Sequence, residues 1–195
     1  MLTLPEDMLT RSAEAPAAKP YQPVEGHPGP AQVKRLGEML GNAKRPIAIL
    51  GGTRWTAASV AEFQRFAERW KLPVGCSFRR QMLFDHLHPN YAGDVGIGIN
   101  PALAKEVKEA DLILLVGGRF SEMPSSGYTL MDSPYPRQTL VHVHPDSSEL
   151  GRVYRPELAI AASPRDFVAA LEGLAPPSQP TWSERTEIMH AAYLK

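Results

Sequence analysis

A chain of 195 residues can bury one substantial hydrophobic core, so one compact domain with flanking tails is the simplest expectation. Its 21 Lys and Arg residues balance its 21 Asp and Glu residues, which gives no electrostatic basis for binding nucleic acid or an anionic membrane surface. The single cysteine, Cys76, excludes an internal disulfide framework and fits a reducing compartment. Neither a bilayer-spanning apolar run nor a signal peptide is recognisable, so we expect a cytoplasmic protein.

Proline marks the expected boundaries of the compact part. Residues 11–30 read RSAEAPAAKPYQPVEGHPGP and contain little that could be buried, which is typical of an extended linker. A second stretch rich in proline and serine, APPSQPTWSE, begins at residue 175. We therefore expect linkers over residues 1–30 and 175–195, with a central α/β domain over residues 31–174.

The first half of that domain alternates helical and strand patterns. Apolar residues recur at helical spacing after Pro30 and again between residues 60 and 70, which predicts two amphipathic helices. Short apolar runs at residues 45–52 (RPIAILGG) and 72–78 (LPVGCSF) resemble buried parallel strands.

The second half continues the alternation. Asn100 is the expected cap of a helix that begins at Pro101, and Ser163 is the expected cap of the last helix. Further strands are predicted at DLILLVGG (residues 111–118), QTLVHVHPD (138–146) and ELAIAAS (157–163). This order predicts a doubly wound, Rossmann-like α/β fold in three layers: a mainly parallel sheet of about six strands with helices on both faces.

Ligands of such sheets bind beyond the carboxyl ends of the strands, where the strand order reverses. Glycines there let a phosphate approach the backbone, an arginine can pair with a diphosphate, and a carboxylate can accept from ribose hydroxyls. The candidate residues at these ends are Gly51, Gly52, Gly117, Gly118, Arg119, His144 and Asp146. The sequence lacks G-x-G-x-x-G, so the alternative stays open: the glycines only turn the chain, and Arg119 pairs with a nearby carboxylate such as Glu122.

Other polar residues give weaker signals. The pairs His86/His88 and His142/His144 could each present two imidazoles to a metal, but no further ligands complete a set, so we expect no metal site. Cys76 is interpreted as a buried structural thiol. The run FRRQ at residues 78–81 is either an anion-binding patch or an interface rim. No complete catalytic motif is present, and we assign no catalytic residue.

Three runs of sequence are familiar in this order: HPNYAG at residues 88–93, ADLILLVGGRF at 110–120 and DSSELG at 146–151. Together they resemble the central domain of thiamine-diphosphate-dependent enzymes, most closely the acetolactate-synthase-like group. The resemblance covers residues 31–174 and implies a non-catalytic domain of an enzyme that cleaves or forms carbon–carbon bonds in 2-keto acids.

The resemblance also implies partners. Residues 2–9 resemble the exit of the family's first domain, and residues 180–195 resemble the link to its third domain. Those two domains hold thiamine diphosphate and Mg²⁺ in this family, so both cofactor sites are expected outside this sequence, and the chain alone is expected to be inactive. The parent enzyme is expected to be a homo-oligomer, a dimer or a tetramer.

Some family members bind FAD or an ADP-like group at these strand ends, and others have an empty remnant. Carried over, the contacts fall on Gly51, Gly52, Gly118, Arg119 and Asp146. The family's Asp-x-Asp appears here as His144-Pro145-Asp146, which argues against FAD and leaves an ADP-like ligand or an empty site. Two other interpretations are a stand-alone FAD- or ADP-binding module resembling electron-transfer flavoproteins and an interaction scaffold without a ligand.

Overall fold

The computed structural model describes residues 3–195. Within them, the strands are β1 (Pro46–Leu50), β2 (Val74–Ser77), β3 (Tyr91–Val95), β4 (Leu112–Val116), β5 (Thr139–His144) and β6 (Leu158–Ala161). The α-helices are α1 (Pro30–Asn42), α2 (Ala57–Trp70), α3 (Pro101–Glu109), α4 (Pro164–Ala169) and α5 (Ser183–Tyr193). No helix in this part of the chain has both the length and the apolar character needed to cross a bilayer.

The strands form one parallel sheet in the order β3-β2-β1-β4-β5-β6. The chain builds outward from β1 to β3 and then returns to place β4 on the other side of β1. The strand order therefore reverses between β1 and β4, whose last residues, Leu50 and Val116, are paired. This arrangement confirms the predicted doubly wound α/β fold of about six strands.

Alternation along the strands produces a core on each face of the sheet. In β1, Ala48 and Leu50 face one core, whereas Ile47 and Ile49 face the other. The first core contains buried residues of α1, α2 and α4, and the second contains buried residues of α3 and α5. All five residues of β1 and of β4 are buried, as expected for strands covered on both faces.

Side-chain caps explain why three helices begin where they do. The hydroxyl of Thr56 accepts from the Ser59 amide at the start of α2. The side chains of Asn100 and Ser163 accept from backbone amides in the first turns of α3 and α4, so both predicted caps are present.

The connection between β4 and β5 contains no helix. Residues 117–138 form turns instead, and the buried side chains of Phe120, Leu130 and Met131 fill part of the second core. The covering of the second face is therefore partly irregular, a feature that the alternating pattern does not reveal. This irregular segment supplies much of the candidate site.

The two tails differ in how they contact the domain. Residues 3–24 are exposed, and their role as a linker stays a prediction. Next to them, the Ser163 amide donates to the Gly26 carbonyl, and the Gln32 side-chain amide donates to the carbonyl of Ala159 in the edge strand β6.

The C-terminal segment contacts the domain closely. The Trp182 indole is buried and donates to the Trp70 carbonyl at 2.9 Å, and the Thr186 hydroxyl donates to the Lys71 carbonyl at 2.8 Å. Met189 is buried in the second core, and α5 packs on the edge strand β3. Residues 175–195 are thus more than a linker. The sequence did not predict this docking because widely spaced anchors in a polar segment produce no clear apolar stripe. Their lead into a further domain stays a prediction.

Replacing Trp182 by alanine tests this docking. Trp182 is 1% exposed, and truncating a buried tryptophan typically lowers the free energy of unfolding by about 3–5 kcal/mol. The control is Ile188→Ala within α5, which begins directly after Trp182; its side chain is 58% exposed, so the change should alter stability by no more than about 0.5 kcal/mol. Urea denaturation measures both, and equal effects of the two changes would contradict the docking of α5.

Candidate functional site

A groove of about 440 Å³ lies at the carboxyl ends of the central strands. Its walls come from the chain after β1, β2, β4 and β5, which is where doubly wound sheets bind ligands. The lining residues of the groove are Gly52, Thr53, Ser77, Phe78, Arg80, Gly117, Gly118, Arg119, Phe120, Ser121, Met123, Pro124, His144 and Pro145.

The glycine turns after β1 and β4 pack directly against each other. A Cβ atom on Gly52 would lie 1.8 Å from the Gly117 carbonyl oxygen, and one on Gly117 would lie 2.6 Å from the Gly51 carbonyl oxygen. Gly52 and Gly117 also adopt φ values of 69° and 76°, which favour glycine. The glycines are therefore required by contact between two backbones, whether or not a ligand binds nearby.

Arg119 points to a partner on the neighbouring strand connection. Its Nε lies 3.4 Å from Oε1 of Glu149, in the short turn after β5, and the same oxygen accepts from Arg152 at 2.9 Å. The sequence analysis named Glu122 as a possible carboxylate partner of Arg119, and that residue is wrong. The partner is Glu149, which the pairing of β5 with β4 brings to Arg119. Because the Arg119 side chain is 61% exposed, its other N–H groups face solvent.

His144 and Asp146 form a local turn. Nδ1 of His144 accepts from the Asp146 amide at 3.0 Å. The Asp146 carboxylate accepts from the amide and the hydroxyl of Ser148, and these hydrogen bonds lower the pKa of the Asp146 carboxyl. His144 lines the groove, whereas Asp146 does not. The Asp146 carboxylate, the predicted ribose partner, is already used to cap the short turn that follows it.

His142 is buried beside the groove. Its Nε2 donates to the Gly118 carbonyl at 2.8 Å, which ties β5 to the glycine turn after β4. Burial lowers the pKa of His142 to about 4, and the hydrogen bond to Gly118 only partly opposes this shift. The imidazole is therefore neutral near pH 7 and acts there as a hydrogen-bond donor.

The structure brings most of the sequence-predicted residues together. Gly52, Gly118, Arg119 and His144 line one groove, and Gly51 is buried immediately beneath it. The FRRQ run contributes Phe78 and Arg80 to the lining, so it lies at the groove. Sequence reasoning missed the role of Glu149, although that residue lies in the quoted DSSELG run.

The histidine pairs and Cys76 have structural partners. His86 contacts the Gln81 carbonyl, and His88 contacts Glu68. Across residues 3–195, no group of three His, Cys, Asp or Glu residues is arranged to hold a metal ion. Cys76 is fully buried and burial raises its thiol pKa to about 12, in agreement with a structural thiol.

The strand order and the groove define the structural class first: this is a doubly wound α/β domain with a groove where the strand order reverses. Residues 33–171 match the family model described as "Thiamine pyrophosphate enzyme, central domain". That match covers more than half of the chain, so the chain belongs to the thiamine pyrophosphate enzyme family and contains its central domain.

Similar proteins agree with this assignment. The chain is 28% identical over 181 residues to the "Probable acetolactate synthase large subunit" of Methanocaldococcus jannaschii, covering 91% of this chain and 29% of that protein. It is 28% identical over 173 residues to the "Sulfoacetaldehyde acetyltransferase" of Alcaligenes xylosoxydans xylosoxydans, covering 87% and 28%. It is 30% identical over 139 residues to the "Acetolactate synthase isozyme 1 large subunit" of Escherichia coli, covering 71% and 24%. The chain thus spans less than a third of the length of these relatives.

The contact between the glycine turns can be tested with two matched substitutions. Gly52 and Gly98 share a left-handed backbone, but a Cβ on Gly98 meets open space. Gly98→Ala should lower the free energy of unfolding by about 1–2 kcal/mol from backbone strain alone. Gly52→Ala should cost at least about 2 kcal/mol more because it also forces the two turns apart. Urea denaturation measures both, and equal costs would show that the turns do not depend on close contact.

Acidification should destabilise the fold through His142. In the unfolded chain its pKa is near 6.5, so the unfolded state takes up a proton before the folded state does. The free energy of unfolding should therefore fall between about pH 6.5 and pH 4, by about 3 kcal/mol in all from this group. His142→Gln should flatten this part of the pH–stability curve. An unchanged curve for His142→Gln would contradict the neutral buried imidazole.

Proposed function

We propose that this chain is the non-catalytic central domain of a larger thiamine-diphosphate-dependent enzyme. The parent enzyme would cleave or form a carbon–carbon bond next to a carbonyl in a 2-keto acid. The observation that supports this most strongly is the family match over residues 33–171, combined with relatives more than three times as long as the chain. Acetolactate synthase subunits among these relatives favour 2-keto acid chemistry.

The proposal that the domain is non-catalytic is supported by how the polar groups around the groove are used. His142 donates to a backbone carbonyl, Asp146 caps a turn, and Glu149 pairs with two arginines. None of these groups is free to act as a general acid or base without losing a structural contact. We infer that the domain positions other parts of the enzyme.

The described residues do not fit thiamine diphosphate with its metal ion. They provide no cluster of carboxylates that could bind Mg²⁺. The two arginines that line the groove, Arg80 and Arg119, are cations and cannot bind a metal ion in place of carboxylates. When bound, the cofactor supplies the carbanion chemistry, and the protein supplies binding and orientation. We propose that other domains of the enzyme hold it, and that this domain sets their spacing and contributes to contacts in a cytoplasmic homo-oligomer.

Isothermal titration of the chain with thiamine diphosphate and Mg²⁺ tests this division of roles. We expect no saturable heat up to millimolar cofactor because residues 3–195 provide no metal site. The same titration of a longer chain that includes the flanking domains should give saturable binding. Micromolar binding by the 195-residue chain alone would contradict the proposal.

The groove itself is proposed to be a remnant of a nucleotide site. The closed glycine turns and the occupied Asp146 favour an empty groove, whereas its volume of about 440 Å³ and its two arginines favour a nucleotide. A ligand that binds only the folded state raises the melting temperature by mass action. We expect no concentration-dependent rise with millimolar ADP, FAD or coenzyme A.

Two variants give this measurement its controls. A ligand-dependent rise in melting temperature that Arg119→Ala abolishes and Arg137→Ala retains would instead establish a nucleotide site at Arg119. Arg137 is a suitable control because it pairs with Asp132 at 2.8 Å and does not line the groove. A lost charge-assisted contact should weaken binding roughly tenfold or more.

A further inference from the structure

Apolar side chains are accessible to solvent at the carboxyl ends of β2 and β3. Ile97, which follows β3, is 68% exposed, and Met123, on the connection after β4, is 43% exposed. The half-buried Phe78 side chain lies against the backbone of Gly96, where an added Cβ atom would be 3.0 Å from the Cβ of Phe78. Phe78, Ile97 and Met123 are together called the apolar patch. Grouped exposed apolar side chains are typical of an interaction surface.

A recess of about 400 Å³ joins the members of this patch. Ile97 and Met123 both line the recess, and Met123 also lines the groove together with Phe78. Gly98 and Gly127 line the recess as well, and a Cβ atom added to either glycine would meet open space. The recess can therefore accept side chains of another molecule.

Three charged side chains surround the patch without an ion-pair partner. Within residues 3–195, none of the ion pairs includes Arg79, Arg80 or Glu122. Arg80 lines the groove and Glu122 lines the recess. The Cζ atom of Arg79 lies 5.2 Å from the centroid of the Phe78 ring. The surface thus presents cations and a carboxylate around one set of apolar side chains.

This combination limits the kind of molecule that fits the surface. A partner with charges of one sign would leave either the arginines or Glu122 unpaired, whereas a second copy of this chain supplies both signs. The formal net charge of the chain is 0, so two copies do not repel each other overall. In a two-fold interface every contact occurs twice, and the surface must be complementary to itself.

We propose that a second copy of this chain docks on this surface about a two-fold axis. Ile97 and Met123 would pack against the apolar patch of the other copy. Arg79 and Arg80 of each copy would lie opposite Glu122 of the other. Apolar contacts at the centre of an interface supply most of its affinity, and charge pairs at the rim fix its orientation.

The inference rests on the proposed function in one respect, the contacts within a homo-oligomer, and it names the surface that makes them. It also assigns the FRRQ run to an interface rim, one of the two roles expected from the sequence. The two proposals can fail separately. A monomeric 195-residue chain would leave the cofactor binding expected of the longer chain unaffected, and a lack of that binding would leave the dimer unaffected.

Analytical ultracentrifugation of the 195-residue chain, from about 5 to about 500 µM, tests the association, because isolated interfaces of modest size have micromolar affinities. The weight-average mass should rise with concentration from 21.4 kDa towards twice that value. A monomer across the whole range would overturn the proposal and would mean that a different molecule covers the surface.

Two exposed positions locate the interface. Ile97→Asp should raise the dimer Kd at least tenfold, because it places a charge among the apolar contacts. The control is Leu87→Asp, since Leu87 is 79% exposed on the connection between β2 and β3 but lines neither the groove nor the recess. Its Kd should stay within about twofold of wild type. Equal effects of the two substitutions would overturn the assignment of the surface.

Charge reversal tests the pairing across the axis. Arg80→Glu and Glu122→Arg should each raise the Kd about fivefold or more, because each places like charges opposite one another twice in the dimer. The double variant, with both reversals in the same chain, should recover most of the wild-type affinity. A double variant that is as weak as the single variants, or weaker, would overturn the two-fold pairing of Arg80 with Glu122.

Discussion

The contact between the turns after β1 and β4 is the constraint on which the carboxyl end of this sheet depends. Two neighbouring parallel strands both end in glycines, and the turns approach so closely that a single methyl group would overlap a carbonyl oxygen. The Trp55 indole donates to the Gly51 carbonyl at 2.8 Å, which satisfies a polar group within this contact. The groove, Arg119 and the hydrogen bond from His142 to Gly118 are all positioned relative to these turns.

A second constraint is the buried carboxylate of Glu149. It holds two arginines from different parts of the chain, one after β4 and one after β5. Pairing a nearly buried charge offsets much of its desolvation, so this arrangement also fixes the path of the chain between β5 and β6. The two guanidinium groups are thereby held close to one buried carboxylate.

Much of the fold is encoded in short-range patterns. Glycine-ended apolar runs identify β1 and β4, and the caps Asn100 and Ser163 mark helix starts, because these signals depend on neighbouring residues alone. The sequence also brings Gly52, Gly118, Arg119 and His144 to one edge, since parallel strands share the position of their carboxyl ends. The partner of Arg119 was not predictable, because Glu149 is distant along the chain and reaches Arg119 only through the pairing of β4 with β5.

The docking of α5 has a consequence for the outer strands of the sheet. The edge strand β3 lies under α5, and at the opposite edge the Gln32 side chain occupies the Ala159 carbonyl of β6. Unpaired strand edges readily recruit strands from other molecules, and covering them prevents that association. Gln32 and α5 both lie outside residues 33–171, so the segment that defines the family is shorter than the unit that protects its own sheet. A fragment trimmed to the family segment would therefore be prone to self-association through β3 and β6.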